Sequence, residues 1–405
     1  MKVLRLVLIL TLAATIQTAA WPAGRESIGE TLNTDTLTVS FMTCEPGTEI
    51  YELYGHSAIR IRTVSGADWV FNYGMFDFNT PNFVARFVLG KTDYYMAAYP
   101  FGNFISEYEY RGSAVIEQTL NLTKEEKELL LSRLAKTASH KDWTYRYNFL
   151  YDNCTTRARD EIENCINGKI EYPQDNTKES YRQIIHHYTK NDPWSEFGQD
   201  LLLGATADRN ISERQKMFAP LYMEKYNAKA IIVDSAGNRR NLVSETKVYP
   251  PIKARKETKG FPVPPIGVFG SLLAITAAAC AMEIRKRRIF WGFEAALMTI
   301  QGLAGCLIAL LFFFSEHPTV NTNWLLAILN PIPLVYIPAR IINIRRHRHD
   351  TYATIATTVI CVFLVLTLFI SQTFSASVYC FALSLCLQTA TGAYIQHKAK
   401  WKRKK

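Results

Sequence analysis

Cysteine is scarce in the part of the chain where disulfides would matter. Of eight cysteines in 405 residues, Cys280, Cys306, Cys361, Cys380 and Cys386 fall in apolar segments, and only Cys44, Cys154 and Cys165 precede them. Three is an odd number. A fully paired disulfide framework is therefore excluded, and at least one thiol stays free unless it bridges two molecules. Long apolar runs are lacking between about residues 21 and 263, so that stretch reads as water-soluble. Zinc-ligand spacings and glycine-rich phosphate loops are also missing, and the sequence asks for no metal and no organic cofactor. Lysine and arginine are absent from 314–323 and 372–375, two short stretches that separate apolar segments.

The positive charge lies elsewhere. The net charge of +10 is concentrated in Arg285, Lys286, Arg287 and Arg288, in Arg340, Arg345, Arg346 and Arg348, and in a tail with Lys398, Lys400, Lys402, Arg403, Lys404 and Lys405. All of these lie between or after apolar segments, as positive-inside loops do. That placement argues against nucleic acid as a partner. Five spans are predicted, at about 264–283, 290–313, 324–339, 353–371 and 376–395, the third short and holding Pro331, Pro333 and Pro338. The basic loops then face the cytoplasm and the uncharged ones face out, with the C-terminus cytoplasmic. Lys253, Arg255, Lys256 and Lys259 precede the first span on the outer side, where they meet anionic headgroups or form a solvated linker. Glu316 and His317 fall in an external loop. They are either plain surface residues or a contact to substrate or to the soluble domain.

The N-terminal "MKVLRLVLILTLAATIQTAA" has Lys2 and Arg5, then an apolar run, then small residues up to Ala20. This is the layout of a signal peptide, an uncleaved anchor being the alternative. The predicted organisation is therefore a signal peptide at 1–20, an exported domain at 21–235, a basic juxtamembrane linker at 236–262, a five-helix membrane domain at 263–396 and a basic tail at 397–405.

Within the exported part, "GHSAIRIR" alternates Ile59 and Ile61 against Arg60 and Arg62, as a half-buried strand does, and places His56 at its mouth. A turn-rich stretch and "WVFNYG" follow, so a hairpin is expected. If Arg62 opposes Gly66, His56 lies across from Asn72. A loop two residues longer shifts the register but keeps both on one face. Asn behind a histidine orients it and fixes its tautomer. "GSAVIEQTLNL" reads as another strand. "TKEEKELLLSRLAKTA" reads as a helix with a Thr123/Glu126 capping box and a stripe of Leu129, Leu130 and Leu134.

In "YNFLYDNCTTRARDEIENCINGK" the periodicity turns helical from Cys154, with Asp152 or Asn153 as cap, Ala158, Ile162, Cys165 and Ile166 on one side, and Gly168 as the stop. A thiol in a first helical turn meets aligned dipoles and free N–H groups, which stabilise the nucleophilic thiolate and can receive an oxyanion. Cys154 is the candidate nucleophile, His56 its base and Asn72 the orienting group. Cys165, further down that helix, can pair with Cys44 and leave Cys154 free. Phe76, Phe78, Phe83 and Phe87 are either an apolar wall near the site or core.

The order His, Asn, then Asn-Cys at a helix start resembles the circularly permuted papain-like (NlpC-type) fold, an α+β thiol domain. "GHSAIRI", "WVFNYG" and "NCTT" resemble the lecithin:retinol acyltransferase branch, with Asn72 where those enzymes often carry a second histidine. A longer set, "GHSAIRI", "FNYGMFDF", "YNFLYDNCTTRARD", "DLLLGATAD" and "EHPTVNTNWLLAILNP", resembles the bacterial lipoprotein N-acyltransferase B (Lnb) family. That resemblance implies a thiol domain on the periplasmic side of the bacterial inner membrane, followed by an all-α transmembrane bundle. It also implies acyl transfer from a phospholipid, through a thioester on Cys154, to the N-terminal amine of diacylglyceryl-cysteine lipoproteins. The partners so implied are phospholipid donors, lipoprotein acceptors and membrane lipids. The rival readings are a peptidoglycan stem-peptide amidase or peptidase, a phospholipase-like hydrolase of the same fold, and a non-enzymatic membrane scaffold.

Overall fold

The structure, a computed structural model, describes residues 37–49, 52–140, 143–253, 260–348 and 350–403. The expected signal peptide, and Arg255, Lys256 and Lys259 of the basic linker, lie outside them. The chain divides into two compact units. One joins the described residues up to Tyr188 with those from Asn210 to Lys253; the other joins Thr189–Arg209 with the described residues from Gly260 onward.

The first unit is built on a seven-stranded sheet. Its strands are β1 (Leu37–Cys44), β2 (His56–Thr63), β3 (Asp68–Met75), β4 (Asp93–Pro100), β5 (Val115–Leu120), β6 (Tyr145–Arg146) and β10 (Val243–Tyr249). Their spatial order is β10-β5-β1-β2-β3-β4-β6, and all neighbours are antiparallel. A separate three-stranded sheet holds β7 (Gly168–Glu171), β8 (Ile231–Asp234) and β9 (Arg239–Asn241). The first helices are α1 (Phe83–Val88), α2 (Phe101–Arg111), α3 (Lys124–Ser139) and α4 (Cys154–Glu163).

β1 is central and buried on both faces. One face (Val39 and Phe41, with Ile59 and Phe71) packs under Leu130 and Leu134 of α3 and Ala158 and Ile162 of α4. The other (Met42 and Cys44, with Ala58 and Val70) packs under Phe104 of α2. Fully burying a side chain such as Phe41 or Ile59 contributes about 1.5–3 kcal/mol.

Covering the second face changes the fate of Arg60, which the strand pattern turns toward solvent. It is buried, with Nε and one terminal nitrogen donating to Asp68 at 2.8 and 2.6 Å and a further bond to Glu117 at 2.9 Å. Its guanidinium lies 3.3 Å from the Phe101 ring centroid. The capping box on α3 forms as expected, but Leu129 points out while Leu130, Leu131 and Leu134 face the core.

The later helices are α5 (Tyr181–Thr189), α6 (Pro193–Leu202), α7 (Glu213–Lys216), α8 (Pro220–Asn227), α9 (Pro265–Lys286), α10 (Trp291–Phe314), α11 (Ile332–Arg345), α12 (Tyr352–Leu366) and α13 (Ala376–Arg403). Among the described residues of the second unit, four stretches are long and apolar enough to cross a bilayer: Pro265–Lys286, Trp291–Phe314, Trp324–Arg345 and Ala376–Lys398. The third opens on the 3-10 turn Trp324–Ala327, and Pro338 lies inside α11. The predicted fourth span is helical only over Tyr352–Leu366. Fifteen residues rise about 22 Å, short of a hydrocarbon core of about 30 Å. The five expected apolar segments are thus four long helices and one shorter one.

Arg340, read above as part of a basic loop, lies inside α11. It is buried, 2.9 Å from Glu294 and 3.2 Å from Asp350.

The helix α6 sits within the range expected for the exported domain but belongs to the membrane unit. Asp192 caps it and Pro193 takes its first position. Phe197 and Leu201 pack on the cluster of Leu325, Phe381 and Leu385. The Asn323 amide donates to the Leu201 carbonyl at 2.8 Å, and Gln372 donates to that of Leu203 at 3.2 Å. At Gly204 a Cβ would meet the Thr319 carbonyl oxygen at 2.4 Å, so only glycine permits this approach. Two motifs far apart in sequence, "DLLLGATAD" and "EHPTVNTNWLL", are therefore packed together. Glu316 and His317 sit in the adjoining loop 315–319.

Candidate active site

Hairpin register is the first determinant of the site. Arg62 pairs with Asp68, so the loop is two residues longer than the tightest possibility, and Asn72 falls diagonally from His56 on the same face. The two side chains meet: His56 Nε2 lies 3.1 Å from Asn72 Oδ1. Since Oδ1 only accepts, Nε2 carries the proton and donates, which leaves Nδ1 for another partner. Asn72 is buried, and its Nδ2 donates to the Val70 carbonyl at 3.4 Å.

The second determinant is the start of α4. Asn153 is its cap, and its Oδ1 accepts from the N–H groups of Thr155 and Thr156, both at 2.9 Å. The Asn153 amide nitrogen in turn donates to the carbonyls of Phe149 and Phe218 at 2.9 and 2.8 Å, which fixes the cap from both sides. Cys154 is the first helical residue and is buried. Two of the N–H groups expected to receive an oxyanion are thus engaged by the cap, and Cys154's own N–H is the first-turn donor outside it. The helix ends at Glu163, with Asn164 as C-cap, well before Gly168. Cys165 therefore lies just past the helix rather than in it.

The Cys154 thiol and the His56 imidazole are electrostatically coupled, each shifting the other's titration. Burial pushes the Cys154 thiol up, but the His56 charge, the His56 bond, the Ser57 N–H and the Thr155 hydroxyl outweigh it. The net result is a fall from 9.0 to about 7. Burial pushes the His56 imidazole down, and the Cys154 thiolate together with bonds to Cys154 and Asn72 overcomes this, so it ends above 6.5. Each group thus favours the charged form of the other, and Asn72 orients the imidazole. Beneath it Ser57 and Thr155 join β2 to α4 through their hydroxyls, 3.1 Å apart.

All eight cysteines are free, so the possible Cys44–Cys165 disulfide is not formed. Cys44 packs with Met42 and Phe104 on one side of the sheet, Cys165 with Phe41 and Ile162 on the other.

Sequence reasoning missed three neighbours. Gly74 has φ +87, and a Cβ there would lie 3.4 Å from Cys154 Cβ, 3.7 Å from the Tyr147 ring and 3.9 Å from the Tyr145 hydroxyl. Tyr145 and Tyr147, two residues apart just before the Asn-Cys, were the available signal. Phe76 joins the site's aromatic surround through Tyr94, 5.1 Å away, which stacks on Tyr147 at 4.2 Å. Phe83 stacks on Phe76 at 5.5 Å, while Phe78 and Phe87 are exposed.

A buried thiol paired with an amide-oriented histidine on an antiparallel sheet, in a chain that also carries long apolar helices, defines a membrane protein with a candidate thiol site. Residues 25–187 match the model of the Lnb N-terminal periplasmic domain, and residues 256–400 match that of the Lnb transmembrane domain. The chain belongs to the Lnb family, and its N-terminal unit is the periplasmic domain. No curated protein and no solved structure matches it.

Proposed function

We propose that this chain is a thiol acyltransferase that moves an acyl chain from a phospholipid to the N-terminal amine of a diacylglyceryl-cysteine lipoprotein. The carrying observation is the Cys154–His56–Asn72 arrangement, with a thiol lowered to about 7 and an imidazole fixed by the 3.1 Å bond to Asn72. Family membership supports the lipid substrates. The periplasmic unit is read as a permuted papain-like domain, on the order of its motifs.

In this scheme the Cys154 thiolate attacks the ester carbonyl of the phospholipid, and the imidazolium of His56 gives its proton to the departing lysolipid alkoxide. The thioester is then attacked by the lipoprotein amine. His56 takes the amine's proton, and the thiolate is released. One site serves donor and acceptor in turn. Both substrates are lipid-anchored, so tethering the domain to apolar helices raises their effective concentration. The basic clusters between and after the apolar segments support a cytoplasmic C-terminus, so a reporter fused after Lys405 is expected there.

The test is mass spectrometry of lipoprotein N-termini from cells with and without the gene product. N-acylated termini are expected only with the active protein, and not with Cys154→Ser. Unchanged N-termini overturn the proposal.

A further inference from the structure

Among the described residues, the Tyr145 hydroxyl is buried and has no hydrogen-bond partner. An unpartnered buried phenol costs about 1–3 kcal/mol in lost hydration, a penalty that calls for a reason. Its position gives one. The missing side chain of Gly74 leaves a one-atom slot bounded by Cys154 Cβ at 3.4 Å, the Tyr147 ring at 3.7 Å and the Tyr145 hydroxyl at 3.9 Å. Gly74 and Tyr147 are half-buried, so the slot opens on their side. An oxygen seated on the Tyr145 side of that position comes within range of an O–H···O bond, about 2.7 Å. Such an oxygen has few other donors, because the cap already engages the N–H groups of Thr155 and Thr156.

We propose that Tyr145 is a catalytic residue whose hydroxyl, with the Cys154 N–H, receives the oxyanion formed when an ester carbonyl is attacked. The role rests on the acyltransferase reading for the identity of that ester. As the sulfur–carbon bond forms, the carbonyl π electrons move onto oxygen, which Tyr145 holds without giving up its proton. Collapse restores the carbonyl and expels the alkoxide, which takes its proton from His56. The ring is fixed for this role. Tyr145 is paired with Tyr94 across β6 and β4, and the Arg157 guanidinium, itself held by Asp152, lies 4.4 Å from its centroid. A cation over the ring withdraws electron density and strengthens the hydroxyl as a donor. Burial, with the charges of Cys154 and Asp152, holds the phenol far above its usual range, so it stays protonated wherever the thiolate forms.

Tyr145→Phe removes only the hydroxyl. In full-length protein, the rate of Cys154 acylation by labelled phospholipid, and separately by a p-nitrophenyl ester, is expected to fall about 100-fold. The rate and pH midpoint of Cys154 alkylation by iodoacetamide, which forms no oxyanion, should not move, and neither should the melting temperature fall. Acylation at the unsubstituted rate overturns the proposal. A parallel loss of alkylation overturns it too, since Tyr145 would then be supporting the thiolate. If the p-nitrophenyl ester shows the Tyr145 dependence but phospholipid acylates neither form, the oxyanion role stands and the phospholipid reading fails.

Discussion

Cys44 and Cys154 both neighbour His56 and differ in almost everything else. Cys44 ends β1 directly across from His56 in the strand register. Cys154 opens α4 and is electrostatically coupled to the same imidazole. Both are buried, and burial raises both thiols. At Cys44 burial wins: a bond with Tyr108 is the main opposing influence, and the thiol ends far above its ordinary range. At Cys154 an imidazole, a backbone N–H and a hydroxyl converge, and the thiol ends near 7. Burial sets the default for a cysteine, and the groups aimed at its sulfur decide whether it becomes a nucleophile.

The contrast is tested most strongly by removing the sulfur. Cys154→Ser should lower acyl transfer by on the order of 10^4-fold or more, since a hydroxyl beside this histidine ionises far less readily than a thiol. Purified protein and a lipoprotein peptide measure it; substantial turnover would contradict the account. His56→Ala should lower transfer comparably and also erase the difference between the two cysteines. Iodoacetamide reacts with thiolate, so alkylation of Cys154 should rise as pH climbs through about 7. In His56→Ala burial is no longer opposed by the imidazole, and the midpoint should move above the ordinary 9.0. Asn72→Ala removes only the bond that fixes the ring, and a loss of about 10- to 100-fold in transfer is expected, with the alkylation midpoint moving less than in His56→Ala. Cys44→Ala should be the mildest, with transfer changed by no more than a few-fold and stability lowered by roughly 1 kcal/mol in a denaturant titration. A large loss of transfer there would show that the two thiols work together.

Much of this contrast was legible in the sequence. The helix start at Cys154 followed from Asn-Cys and the apolar spacing after it, and the pairing of His56 with Asn72 from the period-two rule, which holds for either hairpin length. What the sequence did not show depends on tertiary coverage. Arg60 reads as solvent-facing until α2 covers that side of the sheet. Leu129 reads as core because a helical stripe can be drawn through either of two adjacent leucines. The helix α6 looks like part of the exported domain because its motif is remote from the segment it packs against. Tyr145 and Gly74 left little trace, because a slot is made by what β3, β6, the segment after β6 and the start of α4 together leave empty.

The central claim is that Cys154 carries an acyl group taken from a phospholipid before any acceptor arrives. The direct measurement is intact-protein mass spectrometry of the purified full-length chain after incubation with one phospholipid of defined acyl composition and no acceptor. The account predicts a mass increase equal to one of its acyl chains, mapped to Cys154, removed by hydroxylamine, passed to the amine of a lipoprotein peptide on addition, and absent from Cys154→Ser. No adduct, with label reaching the peptide in one step, would contradict the covalent scheme. An adduct released only as free fatty acid in the presence of acceptor would make the protein a hydrolase.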